Sequence, residues 1–173
     1  MESFLRFVDK LSEYCGKACA WLIILLTFAL FYESIARYLF NAPTIWAYDL
    51  SYMLYAVIFL MGAGYVLSED RHVKVDVLSH YFPPRMKAII DIFLYLLLFF
   101  PVIGILFVKG IQNAAFSWAM REVSATGLWR PPLYPLKTVL PVAMGILLLQ
   151  GVAQFIRSIY IAMGKGGNKW SLK

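Results

Sequence analysis

The sequence is poor in charge: Asp, Glu, Lys and Arg together make up only 15% of its 173 residues. Soluble domains usually carry about 25% charged residues and about 45–50% apolar ones. Here 61% of the residues are hydrophobic and 17% are aromatic. A chain this short cannot hide so much apolar surface from water in one core. The composition, with a mean hydropathy of +0.70, therefore excludes an ordinary soluble domain and indicates a protein that is solvated by lipid.

Residues that bind metals or carry redox chemistry are also scarce. The two cysteines, Cys15 and Cys19, lie four positions apart in one helical stretch, where disulfide geometry is poor, so we interpret them as small apolar fillers. The two histidines, His72 and His80, fall in a polar loop, which argues against a haem held between helices. The sequence shows no phosphate-binding loop and no nucleophile–base pair. It therefore predicts no enzyme activity, no catalytic residue, no metal site and no cofactor.

The net charge of +6 has a topological explanation. The basic residues are scattered between apolar runs and form no stripe, so they do not indicate nucleic-acid binding. When the N-terminus is placed inside the cell, eleven of the sixteen Lys and Arg residues lie on the inner side. The positive-inside rule then predicts that both termini are cytoplasmic.

Four stretches can cross a bilayer, whose hydrocarbon core of about 30 Å needs about 20 helical residues. We therefore predict an all-α integral membrane protein with four transmembrane helices and a single domain. Residues 1–16 have apolar positions at helical spacing beside charged ones, which predicts an amphipathic helix lying on the membrane surface. The predicted spans are residues 18–40, 50–67, 88–108 and 139–161, with a long third loop over 110–138 and a cytoplasmic tail over 162–173.

Ionisable residues inside the spans are the first candidates for function, because they are costly in lipid. Glu33 and Arg37 lie four apart on one helical face and can pair. Two interpretations stay open: Glu33 is a proton or cation site, or the two residues form an ion pair near the interface. Asp49 begins the second span, where the helix dipole stabilises a carboxylate, and it could also tie the first two helices together through Arg37. Gly62 and Gly64 predict close helix packing.

Three blocks of residues near the membrane faces carry a family likeness. They are Arg37–Trp46 followed by Asp49; Gly62–Gly64 with Arg71–Leu78 and Pro83–Arg85; and Ser124–Thr126 with Trp129–Pro132, Pro141 and Gly145. In this order they resemble the small membrane subunit, of the DctQ type, of tripartite ATP-independent periplasmic (TRAP) transporters. The acidic residue that follows the tryptophan is usually Glu in that family and is Asp49 here.

The resemblance implies a protein of the bacterial inner membrane that accompanies a large polytopic subunit and a periplasmic substrate-binding protein. In this family the large subunit holds the substrate and sodium sites and moves them by an elevator motion, commonly importing an organic acid anion. The small subunit is then a non-catalytic scaffold with no substrate-binding residue of its own. Candidate contact residues are Glu33, Arg37, Asn41, Pro43, Trp46 and Asp49 at the corner between the first two spans; Arg71, Lys74, Asp76 and Arg85 against anionic phospholipid; and Arg121, Glu122, Trp129, Arg130 and Lys137 facing the binding protein.

Two other functions stay open at the level of sequence. A small autonomous exporter working as a homodimer would use Glu33 as its coupling carboxylate, although the adjacent Arg37 and the long third loop are unusual for such a protein. A membrane anchor of an enzyme complex is the other alternative, which the lack of histidine within the spans disfavours. Replacing Glu33 with Gln separates exporter from scaffold, because it should abolish export but mainly affect the assembly of a scaffold.

Overall fold

The computed structural model describes residues 2–68, 84–125 and 128–163 of the chain. Within these ranges the regular structure is helical, apart from one isolated antiparallel bridge between Val123 and Pro132. Four stretches are long and apolar enough to span a membrane, which confirms the predicted number. The helices are α1 (Glu2–Tyr38), α2 (Ala47–Ser68), α3 (Pro84–Leu94), a π-helical turn (Tyr95–Phe99), α4 (Phe100–Met120) and α5 (Tyr134–Ala162).

The first helix is longer than its predicted span. α1 has 37 residues. It is therefore about 55 Å long at 1.5 Å per residue, well beyond a hydrocarbon core of about 30 Å. The segment predicted as an amphipathic surface helix is the beginning of α1 and continues into the span without a break, because no proline interrupts it. Its apolar positions Leu5 and Val8 are buried against Ala153 of α5.

The third span also extends past its predicted end. α3, the π-helical turn and α4 follow one another directly and make one apolar rod. The prediction ended this span near the polar residues Lys109, Gln112 and Asn113, yet these lie exposed on the surface of an uninterrupted helix. The predicted loop over 110–138 is therefore too long, and the non-helical link between α4 and α5 covers only residues 121–133.

The bundle is organised around α5, which contacts each of the other helices. In the most apolar stretch of α5, 44% of the residues are buried inside the bundle, against 11% or less in the most apolar stretches of the other three spanning helices. Its buried residues Met144 and Leu147 pack against Leu67 at the end of α2. A last helix that touches all the others holds the first three spans in one body.

The up-and-down course of the chain gives the bundle two distinct ends. Residues 39–46 and 121–133 lie at one of them, where the Ser124 side chain bonds to Asp49; we call this the corner end. The start of α1, the end of α2 and the end of α5 meet at the other, where Gln154 bonds to Leu67; we call this the termini end. The predicted cytoplasmic location of the termini end remains a prediction.

The glycines of α1 and α2 differ in what surrounds them. A Cβ on Gly64 would lie 3.0 Å from Ile146 of α5, which confirms close packing there. Gly62 has nothing within 4 Å, so the same prediction is wrong for that position. Gly16 marks a close approach of α1 to α2, because a Cβ there would lie 2.6 Å from the ring of Tyr65. The approach of the first two helices thus depends on a residue without a side chain.

Candidate functional site

Capping interactions close the corner between α1 and α2. The Ala42 N–H donates to the Ala36 carbonyl at 2.9 Å, and Asn41 between them has a φ of 50°. This is the left-handed ending common to helices, and Asn tolerates it better than most residues. The hydroxyl of Thr44 accepts from the Ala47 N–H at 3.3 Å, the bond typical of a helix N-cap. The predicted contact residue Asn41 therefore ends α1, while its neighbour Pro43 is exposed.

Glu33 is bound on both of its carboxylate oxygens. One oxygen accepts from Arg37 Nη2 at 2.5 Å and Nε at 2.9 Å, and the other accepts from the Thr44 N–H at 3.1 Å and from the Thr44 hydroxyl. The Glu33 side chain is only 13% exposed, against 53% for Arg37. The predicted ion pair is confirmed. Through Thr44, Glu33 also ties the last turns of α1 to the start of α2, a fastening that sequence spacing did not reveal.

Asp49 is buried and bonds to a distant segment. It is 4% exposed, and its Oδ1 accepts from the Ser124 hydroxyl at 3.3 Å. Its Oδ2 has no hydrogen-bond partner among the described residues. The tie to Arg37 considered from the sequence is not formed, because Arg37 is directed to Glu33. Asp49 instead joins α2 to the link between α4 and α5.

Trp46 is held by a stacking contact. Its ring lies 5.8 Å from that of Tyr32, with an angle of 22° between the planes. The contact joins the exposed surface of α1 to the residues that precede α2, and it leaves Trp46 half-buried at the corner end. Stacked aromatic pairs add about 0.5–1.5 kcal/mol beyond the area that they bury.

In the link between α4 and α5, the described residues 121–125 and 128–133 form the two arms of a hairpin. The Ser124 N–H donates to the Pro131 carbonyl and the Leu133 N–H donates to the Glu122 carbonyl, each at 2.9 Å. Arg121 and Arg130 have φ values of 48° and 47°, left-handed conformations that reverse the chain. Both arginines are exposed, as is the side chain of Trp129. These three members of the predicted binding-protein surface lie on the outside of the hairpin.

The other two members of that predicted surface bind each other. Lys137 Nζ lies 2.5 Å from Glu122 Oε2, which also accepts from the Ser117 hydroxyl at 2.8 Å. Both hydrogen bonds favour the ionised carboxylate and hold the pKa of Glu122 below its ordinary value. Beside this pair, Trp118 Nε1 donates to the Thr138 hydroxyl at 2.9 Å. Glu122 and Lys137 therefore fasten α4 to α5.

A buried polar network joins α1 to α5 at the termini end. The fully buried Gln150 accepts from the Ser12 hydroxyl at 3.2 Å and donates to Asp9 Oδ1 at 3.1 Å. The second oxygen of Asp9 lies 2.5 Å from Arg157 Nη2. Ser12 is also fully buried, so the centre of the network is not accessible to solvent. Two residues of α1 and two of α5 are bonded together across the bundle.

This network does not follow from the charged residues of the predicted spans, because its central side chains, Ser12 and Gln150, carry no charge. The signal was available: Gln150, Gln154, Arg157 and Ser158 fall on one face of a helix. Polar residues on one face of a transmembrane helix usually face the interior of the bundle. Gln154 and Ser158 are 4% and 8% exposed, and Gln154 Nε2 donates to the Leu67 carbonyl at 3.2 Å.

The predicted lipid-binding residues Arg71, Lys74 and Asp76 lie outside the described part of the chain. Arg85 belongs to the first turn of α3, and its side chain is likewise outside what the structure describes. Contact of these four residues with anionic phospholipid stays a prediction.

The polar contacts described above join different helices of the bundle to one another. At both ends of the bundle they bind one helix to another, and between the two ends the spans present long apolar faces. Four spanning helices fastened in this way define a multi-pass membrane subunit.

The family model for the DctQ component of tripartite ATP-independent periplasmic transporters matches residues 19–160. The chain therefore belongs to the DctQ-type family of TRAP transporter small subunits, and the resemblance found in the sequence is confirmed. With its four spanning helices, it is a multi-pass protein of the bacterial inner membrane.

Three curated relatives match about half of this chain. The C4-dicarboxylate TRAP transporter small permease protein DctQ of Vibrio cholerae is 32% identical over 84 residues, 49% of this chain and 35% of that protein. A putative TRAP transporter small permease protein of Haemophilus influenzae is 29% identical over 90 residues, 52% of this chain and 54% of that protein. The sialic acid TRAP transporter permease protein SiaT of Haemophilus influenzae is 25% identical over 95 residues, 55% of this chain and 15% of that protein. The match thus spans about half or less of each relative's own length.

The first prediction concerns the network at the termini end. We expect Gln150→Leu to destabilise the detergent-solubilised protein by about 1–3 kcal/mol, because Ser12 would lose its buried partner. The measurement is the thermal unfolding midpoint. Gln112→Leu is the matched control, since the same replacement on an exposed position of α4 removes no contact of this kind. Equal midpoints for the two variants would contradict a stabilising role for the network.

The second prediction concerns pH. In the folded protein the pKa of Glu122 lies below its ordinary value of 4.5. The ion pair of Glu122 with Lys137 therefore stabilises the hairpin at neutral pH. This contribution is lost as the pH falls through the lower, folded-state pKa. The Glu122→Gln variant should therefore unfold at a lower temperature than the unmodified protein at pH 7. This difference in unfolding temperature should disappear below about pH 4.5. If the difference in unfolding temperature stayed constant between pH 7 and acidic pH, ionisation of Glu122 would be ruled out as its cause.

Proposed function

We propose that this chain is the non-catalytic scaffold subunit of a sodium-coupled, binding-protein-dependent TRAP importer. Membership of the family supports association with a large permease subunit and a substrate-binding protein. The observation that carries the scaffold role is the use of the carboxylates in the spans. Asp9, Glu33 and Asp49 each bond to another segment of the same chain. These bonds give the three carboxylates a structural role in the bundle that does not depend on ion transport.

A stationary body suits this use of polar residues. An elevator-type transporter needs a part that stays fixed in the bilayer while the substrate-carrying part moves past it. Hydrogen bonds at both ends of the bundle resist separation of the helices, because the surrounding hydrocarbon offers no alternative partner. Between the two ends, the spanning helices present long apolar faces to their surroundings. The chain therefore has the properties of a stationary anchor whose helices hold together as one unit.

The class of substrate follows from the relatives. The printed names of two of them refer to sialic acid and to a C4-dicarboxylate, both of which are organic acids. We extend this class, an organic acid anion, to the importer served by this chain. The substrate site itself belongs to the partner proteins in this proposal.

The periplasmic binding protein is proposed to touch the exposed side of the hairpin. With both termini cytoplasmic, the corner end faces the periplasm, and Arg121, Trp129 and Arg130 lie exposed there. Lys137 is less accessible to a partner because it is bound to Glu122. Charge reversal by Arg121→Glu together with Arg130→Glu should reduce uptake at low concentrations of binding protein without changing the amount of assembled membrane complex. Unchanged uptake would remove this surface from the proposal.

The central test is purification of the tagged chain in mild detergent from its native host, followed by mass spectrometry of the proteins that stay attached. We expect a large polytopic membrane protein in a ratio near one to one. Glu33→Gln should lower the yield of this complex, because it weakens the corner, and should leave uptake per complex unchanged. Recovery of a homodimer without a partner would overturn the scaffold role. Loss of transport at an unchanged yield of complex would instead assign ion coupling to Glu33.

A further inference from the structure

One exposed face of α2 carries three tyrosines and a phenylalanine. Tyr48, Tyr52, Tyr55 and Phe59 follow one another at intervals of four, three and four residues, the spacing of side chains on one helical stripe. Each is between 58% and 68% exposed. Tyr55 stacks on Phe59 with ring centres 6.3 Å apart, so the stripe is continuous at its deeper end. We call these four residues the aromatic stripe.

Two exposed hydroxyl groups of α1, one on a threonine and one on a serine, are satisfied within their own helix. On α1, the hydroxyls of Thr27 and Ser34 donate to the carbonyls four residues earlier, at 2.8 and 2.9 Å. A tyrosine hydroxyl lies too far from its own backbone to do the same. The hydroxyls of the stripe have no hydrogen-bond partner among the described residues. Acyl chains offer no acceptor, so a stripe covered only by lipid would leave polar groups unsatisfied.

The position of the stripe along α2 goes beyond the usual place of tyrosine at a membrane surface. Tyr48 lies in the first turn, where aromatic residues commonly sit at headgroup level. Tyr55 and Phe59 lie about 12 and 18 Å further along the helix from Ala47, at 1.5 Å per residue. α2 has 22 residues and is therefore only slightly longer than the hydrocarbon core. The stripe thus reaches from the corner end toward the middle of the bilayer.

The rod formed by α3 and α4 shows what a lipid-facing surface looks like in this protein. Its exposed side chains from residue 89 to residue 108 are hydrocarbon only, and none of them is a tyrosine. The aromatic stripe of α2 and the surface of this rod belong to the same bundle and lie at comparable depths along it. The hydroxyl groups of the stripe therefore distinguish it from the hydrocarbon surface of this rod.

We propose that the aromatic stripe is the surface on which a transmembrane helix of the large permease subunit packs, with acceptor groups opposite Tyr52 and Tyr55. This inference rests on the proposed function and deepens it by assigning the partner to one face. The region matched in SiaT is only 15% of that permease protein, so there it forms part of a far longer chain. A long permease chain is thus the occupant that the comparisons favour over a second copy of this protein.

The size of the stripe is sufficient for a helix contact. Four aromatic side chains, each exposed by more than half, offer on the order of 500 Å². A standard protein interface uses about 800 Å² on each partner. Aromatic rings at intervals of four and three residues also match the spacing at which one helix inserts side chains between those of another. The stripe can therefore provide most of one side of such an interface.

Photo-crosslinking in the native host tests the assignment. A photoreactive phenylalanine analogue is placed at Tyr52, Tyr55 or Phe59 and, as matched controls, at Phe28 of α1 and Phe93 of α3, which are 67% and 61% exposed. We expect crosslinks to the large subunit from the stripe and none from the two controls. Crosslinks from the stripe to a second copy of this chain, or to no protein, would overturn the inference. Crosslinks to the large subunit from Phe28 or Phe93 alone would overturn it as well.

A second measurement examines the hydroxyl groups themselves. The double variant Tyr52→Phe with Tyr55→Phe keeps both rings and should reduce the large subunit that co-purifies by about five- to tenfold, since two interhelical hydrogen bonds are lost. The control is Tyr14→Phe with Tyr38→Phe, the same change at exposed positions of α1. Equal recovery from both double variants would contradict a bonding role for the stripe. If the unmodified chain retains a large subunit, the proposed function stands whatever these variants show; if it retains none, both proposals fail.

Discussion

Polar side chains inside a bilayer must find their partners within the protein, because the surrounding hydrocarbon accepts and donates no hydrogen bonds. This constraint explains the arrangement of the bundle around α5. Gln150 and Gln154 are among its most buried side chains, and they bond to α1 and to the end of α2 respectively. The apolar contacts of Met144 and Leu147 with Leu67 lie on the same helix. Packing and hydrogen bonding therefore select the same orientation of α5.

The two ends of the bundle use different chemistry for the same purpose. At the termini end an amide and an ion pair connect the first helix to the last. At the corner end, carboxylates bind hydroxyl groups and one lysine: Glu33 with Thr44, Asp49 with Ser124 and Glu122 with Lys137. Carboxylates that bond between segments can be replaced only at a cost in stability. Their presence at the corner end thus has a structural reason that is independent of ion transport.

The sequence predicted features that depend on local chemistry and missed those that depend on which helix faces meet. Four spans follow from the thickness of the bilayer, and the Glu33–Arg37 pair follows from a spacing of four residues along one helix. Asp9 and Gln150, by contrast, are 141 positions apart, and Asp49 and Ser124 are 75 apart. Hydropathy also fails at helix ends. The end of α4 contains exposed polar residues, so the predicted loop was too long.

The bundle supplies no hydrogen-bond partner among its described residues to the exposed hydroxyls of the aromatic stripe, whereas Thr27 and Ser34 use their own backbone. Polar groups that face the interior of the bundle therefore make different contacts from the hydroxyl groups on its surface. The inward groups complete the fold of this chain. In the proposed complex, the hydroxyl groups of the aromatic stripe are satisfied by the partner helix that covers them. Under the proposed scaffold function, the contribution of this chain to transport lies in the surface that it offers to the large subunit, and that surface must be specific enough to keep one partner in one orientation. Hydrogen bonds across helices supply this specificity in a membrane, since apolar contact alone distinguishes poorly between a protein and lipid.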